Sequence, residues 1–100
     1  MKTLFVVTRT KGQAWDATKP MHSQEQWPEH VTFMNQLAAV GFVVLGGPIG
    51  DEGNILLVLD AADESEVHST LARDPWSQSG ILEVHAIQRW TILLHAGEEV

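Results

Sequence analysis

His30 and Asp74 are the residues of this chain best suited to moving a proton. His30 shares a helical stripe with Met34, Leu37 and Gly41, at spacings of four, seven and eleven, which puts a titratable ring on an apolar face. Asp74 follows a second helical pattern and directly precedes Pro75, where that helix must stop. A helix N-terminus and apolar surroundings both disfavour a cationic ring. A nearby carboxylate pulls the other way and orients one ring nitrogen. A neutral imidazole held by a carboxylate is a general base, a role worth roughly 10²–10⁴ in rate. A core histidine with its hydrogen bonds satisfied, and an aspartate that only caps a helix end, fit the same spacing.

The other candidates are weaker. Arg9 and Arg73 are possible anchors for an anionic substrate, although solvated arginines are the commoner case. Gly46, Gly47 and Pro48 would let a ligand approach the backbone, but such tracts are mostly turns and this one lacks the spacing of a phosphate cradle. Trp15, Trp27 and Trp76 flank the same region and suit either an aromatic wall or a core cover. His22, His68, His85 and His95 show no metal spacing, and Ser65, Ser69 and Ser77 no nucleophile elbow, so neither metal nor cofactor is expected.

The elements must bring His30 and Asp74 together. Strands are expected over Leu4–Arg9, Phe42–Leu45, Asn54–Leu59 and residues 81–93. A first helix is expected from Pro28 to a stop at Gly41, and a second from a cap at Asp63 to Arg73-Asp74-Pro75. Gly46 to Gly53 reads as a turn, and Trp76 to Gly80 as a connection. The order is βαββαβ, which predicts a ferredoxin-like α+β sandwich with a four-stranded antiparallel sheet and two helices on one face. In that topology one end collects Arg9, His30, the Gly46–Gly53 turn and Asp74. The opposite end has only tight connections, so the loop-rich end is the expected site.

Composition bounds the rest. One hundred residues suit a single domain, expected over 1–100. A net charge of −7 with scattered basic residues argues against nucleic acid, and the absence of cysteine excludes disulfides and thiolate chemistry. The apolar run after Lys2 is too short for a secretory core and nothing approaches a membrane span, so a cytoplasmic, membrane-free protein is expected. Phe5-Val6-Val7, Phe42-Val43-Val44-Leu45 and Ile55-Leu56-Leu57-Val58-Leu59 are apolar at consecutive positions, hence on both faces. Helices cover one face, so a second copy of the chain is expected on the other, giving a homodimer through the sheet.

With these residues in view, the chain resembles the YCII-related (YciI-like) family of small bacterial proteins. The resemblance rests on Glu29-His30-Val31, Gly41, Gly46-Gly47-Pro48, and Arg73-Asp74-Pro75-Trp76 ahead of Gly80. It implies a dimeric α+β barrel and an enzymatic centre at His30 and Asp74. One branch is associated with a lyase-type role on chlorinated hydroxyquinols. The leading expectation is a small cofactor-free enzyme performing elimination or isomerisation on a small aromatic or enol-like molecule. His30 would be its acid/base, Asp74 its orienter, and Arg9, Gly46, Gly47, Pro48 and Trp76 its substrate contacts. The alternatives are a non-catalytic binding or sensing module, and a monooxygenase-like or muconolactone-isomerase-like enzyme of the same barrel fold.

Overall fold

Lys2–Lys11 forms the first strand, β1, and its alternation decides which side chains meet the helices. Phe5, Val7 and Arg9 point to the helical side and are buried, whereas Val6 and Thr8 point away. The computed structural model describes residues 2–98; the ends of the expected 1–100 domain, Met1 and residues 99–100, lie outside them. The remaining strands are β2 (Val43–Ile49), β3 (Asp51–Leu59) and β4 (Leu82–Ile92). The helices are α1 (Trp27–Ala39), α2 (Glu64–Leu71) and α3 (Pro75–Ser79).

The sheet order is β2-β3-β1-β4 with all neighbours antiparallel. This is the ferredoxin-like arrangement expected from the element order. Central β1 pairs Phe5 with Leu59, Val7 with Leu57 and Arg9 with Ile55 across β3. The apolar residues of these pairs join Val67, Leu71, Trp76 and Leu82 in one buried cluster under the helices. β4 carries one extra residue, His85, opposite the Thr8/Arg9 step, so Thr8 faces Ala86 while Arg9 faces Val84.

The helix ends follow local chemistry. Gly41 takes a left-handed φ of 81° after α1, and its N–H donates to the Ala38 carbonyl while the Phe42 N–H donates to that of Leu37. Glycine adopts this conformation without a Cβ penalty, which stops the helix and launches β2. Asp63 caps α2 by accepting the Glu66 N–H at 2.8 Å. The Glu66 carboxylate reaches back to the Ala62 N–H, a variant of the capping box one residue upstream.

Four sequence expectations are corrected. Gly46-Gly47-Pro48 is strand, not turn: Gly46 pairs with Leu57, Gly47 with Leu56 and Pro48 with Ile55, and only Gly50 turns the hairpin. β2 lies at the sheet edge, where a proline without an N–H is tolerated. α2 ends at Leu71, short of Asp74. The segment read as a connection after Asp74 is α3, with Pro75 as a pre-set first residue and Gly80 as its left-handed stop. α1 begins at Trp27, one residue before Pro28.

The other sheet face carries Leu4, Val6, Leu56, Val58 and Trp90, with Leu45 beside Val58 at the edge. Leu45 and Trp90 remain 66% and 46% exposed, so this part of the apolar face has no cover among the described residues. Among the described residues, no helix is long and apolar enough to cross a membrane.

Candidate active site

Asp74 is buried because the chain uses it twice. As the residue before Pro75 it is extended, with φ −62° and ψ 128°, and it caps α3 by accepting the Trp76 N–H on Oδ1 at 2.9 Å. Capping turns the carboxylate inward, toward the end of β1. There Arg9 donates from one terminal nitrogen, NH1, to Asp74 Oδ2 at 2.9 Å. Its other terminal nitrogen, NH2, donates to Ser77 Oγ at 2.7 Å. Both partners of the ion pair have fully buried side chains.

His30 completes the group from the first turn of α1. Its Nδ1 stands 2.9 Å from both Asp74 oxygens. The ring is stacked on Trp76, with centroids 3.9 Å apart and planes 8° from parallel. Trp27 tilts against the same ring at 6.0 Å, and Trp15 meets Trp76 edge-on at 6.2 Å. Trp76 is itself pinned by its indole N–H, which donates to the Glu25 carbonyl at 2.6 Å. The imidazole is therefore fixed in plane by a carboxylate and in tilt by an indole.

The electrostatics assign the protons. Burial pushes the Asp74 carboxyl pKa upward, but the His30 hydrogen bond, the Arg9 charge, the His30 charge and the Trp76 amide together hold it below its ordinary value. Asp74 is thus an anion at neutral pH and has only acceptors to offer. Nδ1 must be the donor, so in the neutral ring the lone pair sits on Nε2.

Beside the ring lies a cavity of about 370 Å³, near the lower end of the roughly 300–1,000 Å³ common for small-molecule sites. Its walls are mostly apolar, among them Met21, Trp27, Met34, Val43, Leu57 and Leu82. The titratable side chains on this wall are His30 and the ion-paired Arg9.

Other candidates fall around this centre in distinct ways. Gly46, Gly47 and Pro48 form part of the cavity wall from edge strand β2. Gly46 lies so close to the sheet core that a Cβ there would come within 2.7 Å of Leu57 Cδ2. Arg9 borders the cavity from behind, with its two terminal nitrogens engaged by Asp74 and Ser77 and its buried Nε without a partner. Trp76 supports the His30 ring from the core side and is fully buried. Arg73 sits away from the cavity, over the Phe33 ring at 5.9 Å. Ser77 went unrecognised in the sequence because its role depends on α3, whose only signal was the Asp74-Pro75 cap with Gly80 five residues beyond the proline. Among the described residues, no group of three or more histidine, aspartate or glutamate side chains is placed to hold a metal ion.

The YCII-related domain matches this chain over residues 1–91. The chain belongs to the YCII-related family. Nearly all of β1 through β4 lies inside that match, including Arg9, His30, Asp74 and Ser77. Among solved structures, this YCII-related protein is similar to the 5-chloro-2-hydroxyhydroquinone dehydrochlorinase of Burkholderia phenoliruptrix, determined in complex with 2,5-dihydroxybenzoquinone. The TM-score is 0.65 at 23% identity, over 88% of this chain and 93% of the other, which shows a shared fold. No curated protein matches the chain.

Proposed function

We propose that this YCII-related protein is an enzyme acting on a small molecule by general acid/base chemistry, with His30 as the proton-transfer group and Asp74 as its orienter. One observation carries the reading: His30 Nδ1 is held 2.9 Å from both oxygens of a buried carboxylate while the same ring borders an apolar cavity. Nε2 is then the basic atom on the substrate side. It takes a proton from an acidic O–H or C–H of the substrate. The freed electron pair either expels a leaving group or shifts a double bond, and the imidazolium returns the proton to the leaving group, to the adjacent carbon or to water. His30 is the only uncommitted proton carrier on the described wall, so a single residue both takes and returns the proton.

The substrate class follows from the walls. An apolar, partly aromatic cavity of this size takes a single ring or its equivalent, and a small ring bearing ionisable oxygens supplies the acidic proton. The similar fold of a dehydrochlorinase solved with 2,5-dihydroxybenzoquinone supports elimination on such a ring. Gly46, Gly47 and Pro48 are the proposed backbone-side contacts, and no cofactor is required for this step.

The test is a panel of hydroxylated and chlorinated single-ring substrates, followed by absorbance and by chloride release. Turnover by the native protein, with a loss of at least about 10² in His30→Gln, is the expected outcome. Turnover that survives undiminished in His30→Gln overturns the assignment. A ring that binds and is released unchanged makes the cavity a binding or sensing site instead.

A further inference from the structure

The carboxylate that orients His30 is itself oriented. Asp74 Oδ1 receives the Trp76 N–H, which fixes one oxygen to the start of α3. Oδ2 receives Arg9 NH1, and Arg9 NH2 is tied to Ser77 Oγ one turn into the same helix. The guanidinium thus bridges the cap of α3 to its first turn, with Arg9 only 1% exposed and reaching in from the central strand.

We propose that Ser77 and Arg9 are positioning residues for His30. They act through Asp74 to keep the ring proton on Nδ1 and the lone pair on Nε2. The inference rests on reading His30 as the base. It assigns a role to a serine that bonds to Arg9 and is not itself one of the residues lining the cavity.

The geometry explains why two contacts are needed. A carboxylate held at Oδ1 alone can rotate about its Cβ–Cγ bond and still accept one N–H. Nδ1 is equidistant from both oxygens, so the carboxylate must present both on the ring side at once. Arg9 NH1 supplies the second restraint at Oδ2. A guanidinium bound at one nitrogen could pivot, but its donors form a rigid planar fork, so a second bond from NH2 fixes the plane. Nε has no partner and adds no restraint, which leaves the Ser77 hydroxyl as the fixing contact. Ser77→Ala removes that contact and leaves NH2 without its acceptor beside a buried charge.

The test reads the ring directly and needs no substrate. In uniformly ¹⁵N-labelled protein at alkaline pH, where imidazoles are neutral, long-range ¹H–¹⁵N spectra distinguish the Nδ1–H from the Nε2–H tautomer. His30 is assigned by the signals missing in His30→Gln. The native protein is expected to show the Nδ1–H form. Ser77→Ala is expected to raise the Nε2–H fraction severalfold and Ser77→Thr to restore the native ratio. In an Arg9→Lys background, Ser77→Ala is expected to have no additional effect, because an ammonium lacks the fork through which the serine acts. A native tautomer ratio in folded Ser77→Ala overturns the proposal, as does an equal Ser77→Ala effect in both backgrounds. If Ser77→Ala does not fold, Ser77→Cys gives the same comparison with a weak acceptor of similar size, under the same criteria. Loss of the tautomer effect refutes the positioning role whatever the turnover, and undiminished turnover in His30→Gln refutes the base assignment whatever the tautomer.

Discussion

Nδ1 of His30 is equidistant, at 2.9 Å, from the two oxygens of Asp74, and each oxygen has a different second donor. Trp76 N–H holds Oδ1 and Arg9 holds Oδ2, so the ring occupies the remaining side of an already committed anion. This ordering separates what Asp74 does for stability from what His30 does for chemistry.

Substituting the two residues is expected to have unequal effects on stability. In His30→Leu the Asp74 anion keeps Arg9 and the Trp76 amide, and leucine suits a site beside Trp76 and Met34. Its melting temperature should stay within a few degrees of native while turnover is lost. Asp74→Asn leaves the Arg9 guanidinium buried without its counter-charge, a change that costs about 3–5 kcal/mol. At about 4–8 °C per kcal/mol for a domain this size, thermal melts should fall by more than 10 °C. A mild loss in Asp74→Asn would mean that Arg9 is not dependent on it.

Acid stability should depend on the same carboxylate. The folded-state pKa of Asp74 lies below its ordinary value, so folding favours its charged form. That contribution is fully present above the unfolded carboxylate pKa of about 3.9 and is lost as pH falls through the lower folded value. Melting temperature should therefore drop as pH is lowered below about 4, and the drop should be shallower in Asp74→Asn. Asp16 and Asp51 also have lowered values, from Thr18 and Gly53 hydrogen bonds respectively, but they are solvent-exposed and should change the profile little. Melts of both proteins across this range check the difference.

The sequence carried the site further than it carried the segment that builds it. Apolar runs and a glycine stop defined four strands and α1, and strand direction then placed Arg9, His30 and Asp74 at one end. What escaped was backbone that violates propensity. Gly46-Gly47-Pro48 has the composition of a turn, yet cross-strand pairing with β3 keeps it extended at the sheet edge. The five residues of α3 are too few to show a helical period, so neither Ser77 nor its bond to Arg9 had a visible signal. Trp76 was visible as a flanking aromatic, but its stacking on His30 depends on the turn of that short helix.

Assembly is expected to use the uncovered sheet face. Val6 lies on that face among Leu56, Val58 and Trp90, whereas neighbouring Leu57 faces the helices. We propose that two copies pair there, since a sheet with one apolar face uncovered favours self-association. Val6→Glu should convert a dimer to a monomer with little change in circular dichroism. Leu57→Glu should instead unfold the chain, because it buries an unpaired charge in the core. Sedimentation velocity distinguishes these outcomes, and a native monomer at micromolar concentration would rule out the pairing.

Neighbouring glycines in β2 should separate cavity shape from strand stability. A Cβ at Gly46 would approach Leu57 Cδ2 to 2.7 Å, and both residues line the cavity. Leu57 is 2% exposed, so its side chain can yield only toward the cavity or against the core. Gly46→Ala should thus cost about 1–3 kcal/mol by overpacking. It should also weaken binding of a single-ring probe such as 2,5-dihydroxybenzoquinone. A Cβ at Gly47 meets nothing within 4 Å, so Gly47→Ala should leave stability unchanged or slightly raised. Calorimetric titration of both variants with that probe, alongside their melts, provides the measurement. Equal affinities for the native protein and Gly46→Ala would place the ring away from the Leu57 wall.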